Sequence, residues 1–382
     1  MELAIGDATY DVRDFGARGD GKADDTAAVQ KALDACAKTA GGTVVVPKGF
    51  RFLIYSVAMR VSRVVLSVEG ELVLGGRRAF YERTGNASAV IIVGGGKAEI
   101  SDVAIAGGGT IDGVGSDWWA HRDDFRPHVV DAKGITRLLV HNVTFLNPPS
   151  HCLELSATFV ELSRVNVFAP PSTDVALESH NTDAYDVHGA YAYVHGVNYT
   201  TGDDDVALHA NHTLVEDSYF GTGHGASVGS LCGSWVTNVT VRGVAFRGTT
   251  GGARIKTHPK CGGRVWDVLY ENLTMVDVQS PIDIDMFYPG DGNLKTTTMR
   301  VENITFRDIT STGHKYDGSF SCDPDSPCRD LVFHDVNLKQ DKDEWRCKKG
   351  KGDDCCAHAS GTGLGVAPSG LNDCLKHSAS AQ

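Results

Sequence analysis

Apolar residues in this chain come in short alternating runs, and the runs recur. From about Thr43 to about Asp335, β-branched and apolar residues alternate with polar ones over four to six positions, and Gly, Asn or Asp closes each run. Period-two alternation predicts half-buried strands. The residue before the last alternation of each segment can be aligned at Asn142, Arg164, Gly196, Asp217, Gly243, Asn272, Asn303 and Asp335. The intervals are 22, 32, 21, 26, 29, 31 and 32 residues. An irregular repeat of this length, with several short strands and no helix per repeat, predicts a β solenoid. No leucine-rich pattern competes with it, and a propeller would need longer repeats. Stacked coils place their strands ~4.7–4.9 Å apart in parallel register.

The N-terminal stretch reads differently. Tyr10–Phe15 alternates as a short strand, and a turn-rich segment follows. A helix is expected from Asp25 or Thr26, because small capping residues precede Val29, Leu33 and Cys36 at helical spacing. It should end near Gly41-Gly42, before a buried strand at Thr43–Val46. One amphipathic helix ahead of a run of strands serves to cap the first exposed edge. No low-complexity linker divides the chain, so one domain over residues 1–382 is expected. Its first 50 residues form the cap region, and residues 341–382 form a disulfide-pinned tail.

Composition narrows the setting. Lys and Arg number 36 against 48 Asp and Glu, net −12, which argues against a nucleic-acid binder. No apolar stretch approaches the ~18 residues of a membrane span. Seven N-x-S/T sequons accompany ten cysteines, six of which crowd the end: Cys322, Cys328, Cys347, Cys355, Cys356 and Cys374. Together these favour disulfides and secretion. Glu2 and Asp7 leave no visible leader, so a mature form is expected. Asn142, Asn272 and Asn303 sit at the repeat position, where Asn can serve a turn. Asn86, Asn198 and Asn211 are the better glycan candidates.

Four polar clusters interrupt the strand pattern: Asn181-Thr182-Asp183, Gly202-Asp203-Asp204, Gly223-His224-Gly225 and Arg254-Ile255-Lys256. Their steps, 20, 21 and 30 residues, match the repeat, so successive coils can stack them on one face. Arg254 and Lys256, two apart, point the same way from a strand. Grouped carboxylates suggest a proton donor and an activated water. A guanidinium and an ammonium suggest an anionic substrate group. Each cluster has a plainer reading: Asn and Asp fill turns, and cations on a strand face water. The acids could also hold Ca²⁺ in an enzyme that cleaves by β-elimination.

In this order and at this spacing, the four clusters resemble the polygalacturonase family of pectin-degrading glycoside hydrolases. So do Asp14-Phe15-Gly16-Ala17, the Gly41–Gly49 segment, Gly109–Gly113, Arg126-Pro127, Asn147-Pro148, and Cys322 with Cys328. The likeness spans roughly residues 10 to 340. It implies a right-handed parallel β-helix and inverting hydrolysis of α-1,4-galacturonosyl bonds in homogalacturonan. It implies Asp203 as general acid, Asp183 and Asp204 as water-activating carboxylates, and His224 as support for the acid. Arg254, Lys256, Asn181 and Tyr288 would bind substrate. No metal or organic cofactor is implied, and a monomer outside the cell, in the cell wall, is expected. Asp205 and Phe220 stand where the family usually pairs two cysteines. Exo action is favoured slightly over endo, with Asp112–Asp124 (carrying Trp118 and Trp119) and Pro170–His180 as candidate walls. A rhamnogalacturonan hydrolase, a Ca²⁺-dependent pectate lyase and a non-catalytic pectin-binding solenoid are the alternatives.

Overall fold

A computed structural model describes residues 1–170, 178–288, 297–338, 344–347 and 355–377. Two compact units make up the chain, Met1–Asp203 and Asp204–Gln382. Each is built from parallel strands, as the alternation predicts for a β solenoid.

In the first unit, strands stack in register so that like residues form columns. Val44, Leu66, Ile105, Val140, Leu162 and Val194 pair successively through parallel ladders. All six are fully buried. Each such side chain contributes roughly 1.5–3 kcal/mol by leaving water. The helix α1 covers Thr26–Lys38 and buries Ala28, Val29, Ala32, Leu33 and Cys36, as its spacing predicts. It lies against Thr9–Asp11, Gly42–Val46 and Val57–Met59, which makes it the expected cap. The strand expected over Tyr10–Phe15 is shorter. Thr9–Asp11 is extended, and Val12–Phe15 forms a 3-10 turn that starts where Asp11 accepts the Arg13 N–H at 2.9 Å.

In the second unit the coils show why the chain bends where it does. Asn238, Gly243 and Gly248 have φ of 56°, 62° and 72°. Asp267, Asn272 and Asp277 have 56°, 51° and 56°, and Asn303, Asp308 and Gly313 have 54°, 53° and 73°. Within each coil these left-handed corners are five residues apart. Between them run four-residue strands that bury alternate residues, such as Val239 and Val241, then Val244 and Phe246. The αL conformation costs most L-residues ~1–2 kcal/mol, and Gly, Asn and Asp tolerate it best. That tolerance explains the composition of the corners.

All eight positions aligned in the sequence have positive φ. Asn303, however, belongs to a different corner. Leu273 pairs with Ile309, and Ile304 pairs with Val268 and Leu331. Asn272 therefore stacks with Asp308, and Asn303 with Asp267. The error arose because Glu-Asn-Leu-Thr and Glu-Asn-Ile-Thr look alike while occupying different corners. The inner column of this unit is aromatic: Tyr270 stacks on Phe306 at 5.5 Å, and Phe306 on Phe333 at 4.9 Å.

Disulfides join Cys232–Cys261, Cys322–Cys328 and Cys347–Cys355, and Cys356 is also disulfide-bonded. The side chain of Cys374 lies outside the described residues. Cys36 and Cys152 are buried and unpaired, so not every cysteine serves a disulfide. The C-terminal segment is more than a tail. Ala359–Leu364 extends the ladder of Cys328–Asn337, and Gly370–His377 is helical.

Asn303→Ile places a β-branched residue at φ 54°. It should lower unfolding free energy by about 1–2 kcal/mol, with Asn303→Gly costing less. Denaturant melts of both variants against the parent test this.

Candidate active site

In the first unit, the Asn181–Asp183 segment is held from below and behind. Thr182 Oγ donates to the Ser179 carbonyl at 2.6 Å and accepts from the Gly202 N–H at 2.9 Å. A Cβ on Gly202 would fall 2.0 Å from that same carbonyl oxygen, so only glycine lets the chain approach here. Asn181 takes the left-handed conformation, φ 53°. Its amide donates to Asp203 Oδ2 at 3.4 Å, and its carbonyl accepts from Arg126 Nη2 at 3.1 Å. Arg126 also donates to the carbonyls of Pro149, at 3.0 Å, and His180, at 2.6 Å. Burial lowers the Arg126 pKa, while the charges of Asp123, Asp183 and Asp203 pull it back up. Asp203 is half-buried and Asp183 is 6% exposed.

His151 stands against Asp183, with Nε2 to Oδ1 at 3.5 Å. Its Nδ1 lies 3.3 Å from Asp186 and 3.4 Å from Glu154. Burial alone would push this imidazole down, but the three carboxylates raise it to about 11. Burial likewise works to raise Glu154, yet hydrogen bonds from His151 and His188 hold it well below the usual range.

In the second unit, Asp204 is 2% exposed and Lys256 is 5% exposed. The Lys256 ammonium bonds Asp204 Oδ2, while Ser227 Oγ donates to Oδ1 at 2.9 Å and Arg254 Nη1 lies 3.4 Å from Oδ1. Arg254 and Lys256 both project from the strand Gly251–Thr257, on the same side, as their spacing predicts. Lys256 Nζ sits 4.9 Å from the centre of the Tyr288 ring, and Arg254 Cζ sits 5.8 Å from it. Arg254 also reaches the His224 carbonyl at 3.4 Å. Asp205 points inward, fully buried, and accepts the Gly225 N–H at 3.0 Å. Phe220 packs edge-on against Phe246. A hydrogen bond to the loop after His224 and an aromatic contact thus occupy the places of the two family cysteines.

The structure adds residues that the sequence reading passed over. His151, Glu154 and Asp186 stand in none of the four polar clusters, and Arg126 carries no role in the sequence pattern. A signal existed: residues 151 and 183, like 154 and 186, are 32 apart, the same interval as Arg164 to Gly196. Leu153 and Glu154 do pair with Tyr185 and Asp186. A further helix, α2 (Arg77–Thr84), was also missed; its polar composition hides it. Trp118 and Trp119, in the helical turn Ser116–Trp119, are buried and do not form an open platform. Trp118 packs edge-on against Phe80 and Tyr81 of α2. Most of the other candidate wall, 170–180, lies outside the described residues.

The glycosyl hydrolases family 28 model matches residues 36–359. The chain belongs to that family, the polygalacturonase family. A polygalacturonase of Prunus persica is 30% identical over 381 residues, covering 94% of this chain and 92% of the relative. An exopolygalacturonase of Platanus acerifolia is 29% identical, covering 87% and 90%. An exopolygalacturonase structure from Thermotoga maritima aligns with a TM-score of 0.77 at 20% identity, over 87% of this chain and 88% of the other. It shares the parallel β-helix fold.

Two tests follow from this geometry. Lys256→Met leaves the Asp204 carboxylate buried without its ammonium. It should cost about 3–5 kcal/mol, and the double variant with Asp204→Asn should recover part of that in a melt. For His151, the folded pKa of about 11 lies above the ordinary value of ~6.5. The stabilisation it gives is full below that ordinary value and is lost as pH rises through the folded one. The melting-temperature gap between the parent and His151→Gln should therefore narrow as pH approaches 11 from neutrality.

Proposed function

We propose that the chain hydrolyses α-1,4-galacturonosyl bonds of de-esterified homogalacturonan with inversion at the anomeric carbon. Asp203 gives its proton to the glycosidic oxygen as the bond to that carbon breaks. Asp183 and Asp204 orient a water and take its proton as its oxygen adds from the opposite face. His224 supports Asp203. Arg254 and Lys256 receive a galacturonate carboxylate, and Tyr288 offers its ring face beside them. Asn181 binds the sugar on the other side of the scissile bond.

The observation that carries this reading is the convergence of Lys256 and Arg254 on Asp204, over the Tyr288 ring. Burying a cation is costly unless it is paired. A guanidinium has five N–H donors and an ammonium three, so both can hold Asp204 and still meet a second carboxylate. A neutral rhamnose at this position would offer no such partner, which counts against rhamnogalacturonan. The same two cations repel Ca²⁺ from Asp204, which counts against the lyase. The complete set of three aspartates counts against a binding module without turnover.

Exo action is the finer form of the proposal. It is supported by the bulk gathered at the Asn181 end of the first unit. There Arg77 pairs with Asp124 at 2.8 Å, Tyr81 donates to the Phe125 carbonyl at 2.5 Å, and Arg126 ties that segment to Asn181. A wall built from that segment would limit how many sugars extend past Asn181. The Platanus relative's name supports the same choice. The reading includes a single catalytic domain that works as a secreted monomer in the cell wall; the disulfides support the oxidising compartment.

Asp203→Asn should lower turnover by at least ~10²-fold while melting temperature and binding to polygalacturonate stay near those of the parent. Near-parental turnover would remove Asp203 as the acid. Products sampled early from polygalacturonic acid should be the monosaccharide with a saturated end, unchanged by chelator. A ladder of oligomers would mean endo action, and unsaturated, chelator-sensitive ends would mean a lyase.

A further inference from the structure

The three carboxylates around His151 are more than the reaction uses. Only Asp183 has a part in the chemistry proposed above, yet Glu154 and Asp186 meet the same ring. Asp183 and Asp186 are each 6% exposed, so neither is a solvated surface acid. Parallel register sets Glu154 beside Asp186, and bringing like charges together is unfavourable unless a cation sits among them. The His151 ring is that cation. On its other side it faces His128, whose ring centre is 5.1 Å away. The charged groups beyond include Arg126, which interacts electrostatically with Asp183, Asp131 with Lys133, next to His128, and His188, which contacts Glu154 at 3.2 Å.

We propose that His151 is a positioning residue for hydrolysis, holding the Asp183 carboxylate anionic and aimed so that it can accept the proton of the attacking water. The inference rests on the reading of Asp183 as a water-activating carboxylate. Glu154 and Asp186 take part indirectly. They fix the ring through Nδ1, which leaves Nε2 directed at Asp183. The arrangement is the familiar one in which a second group orients an imidazole, with the working group and its support exchanged. The raised proton affinity of His151 agrees with the geometry, because a ring that stays charged through neutral pH keeps its pairing with Asp183 there. Without the imidazolium, three carboxylates would face one another. Some would then take up protons at higher pH than in the parent, and a protonated Asp183 cannot act as a base.

The test is the pH dependence of kcat and KM on polygalacturonate for the parent, His151→Gln, His151→Lys, His188→Gln and Asp183→Asn. His151→Gln should lower kcat by about 10- to 100-fold with KM within about twofold. Its acidic limb should move up by about one pH unit, as the carboxylate becomes easier to protonate. His151→Lys should return the limb toward the parent, since it restores the cation. His188→Gln, which removes the contact to Glu154 and keeps that of His151 to Asp183, should leave the limb in place. A folded His151→Gln with parental kcat and limb, alongside an inactive Asp183→Asn, overturns the positioning role and leaves the reaction as proposed. A shift in His188→Gln as large as in His151→Gln also overturns it, since the effect would then be general charge loss. Full activity in Asp183→Asn overturns the reading of Asp183 itself, and this inference with it.

Discussion

Fixed parallel register is the constraint on which the rest of this structure depends. Left-handed corners, held mostly by Asn, Asp and Gly, end many of the short strands and return the chain to the same side of the next coil. Residues at equal places in successive coils then have no choice but to stack. Stacking is favourable for Val44 through Val194, because each apolar residue covers the next. For polar residues the same rule is demanding. It places His151 by Asp183 and Glu154 by Asp186 with no freedom to separate them.

The chain meets that demand with cations set among the acids. In the first unit one imidazolium serves three carboxylates. In the second, Lys256 and Arg254 serve Asp204, and the Ser227 hydroxyl donates to it as well. Asp203, in contrast, meets the neutral amide of Asn181. Consecutive carboxylates in such unlike surroundings can take unlike roles. Asp204 lies against two cations and a hydroxyl, while Asp203 accepts the Asn181 amide and interacts at longer range with the Arg126 guanidinium. The proposal that Asp203 gives the proton and Asp204 helps to activate water draws on that difference of surroundings.

Much of this was legible in the sequence, for reasons that can be named. Alternating runs announced strands, and the eight aligned residues were indeed corners. Yet the alignment caught one corner per coil and missed that others lie five residues away, so Asn303 was set in the wrong row. The helix α1 was visible because its apolar face has clean spacing; α2 was not, because only Phe80 of its residues is buried. Arg254 and Lys256 were identified as a pair, but not their grip on Asp204, which depends on contacts 50 and 52 residues apart. His151 was missed because a lone histidine carries no local motif. Only the 32-residue offset links it to Asp183, and that offset has meaning once the coil length is known.

The most direct test of the account is the configuration of the first product, followed by proton NMR during early hydrolysis of polygalacturonate. A water activated on the face opposite the leaving group must convert an α-linked sugar into a β-configured reducing end. The account predicts that the β-anomer signal rises first and the α-anomer appears later by mutarotation. An α-anomer signal that rises first would mean retention, and would contradict the assignment of Asp183 and Asp204 as water-activating carboxylates.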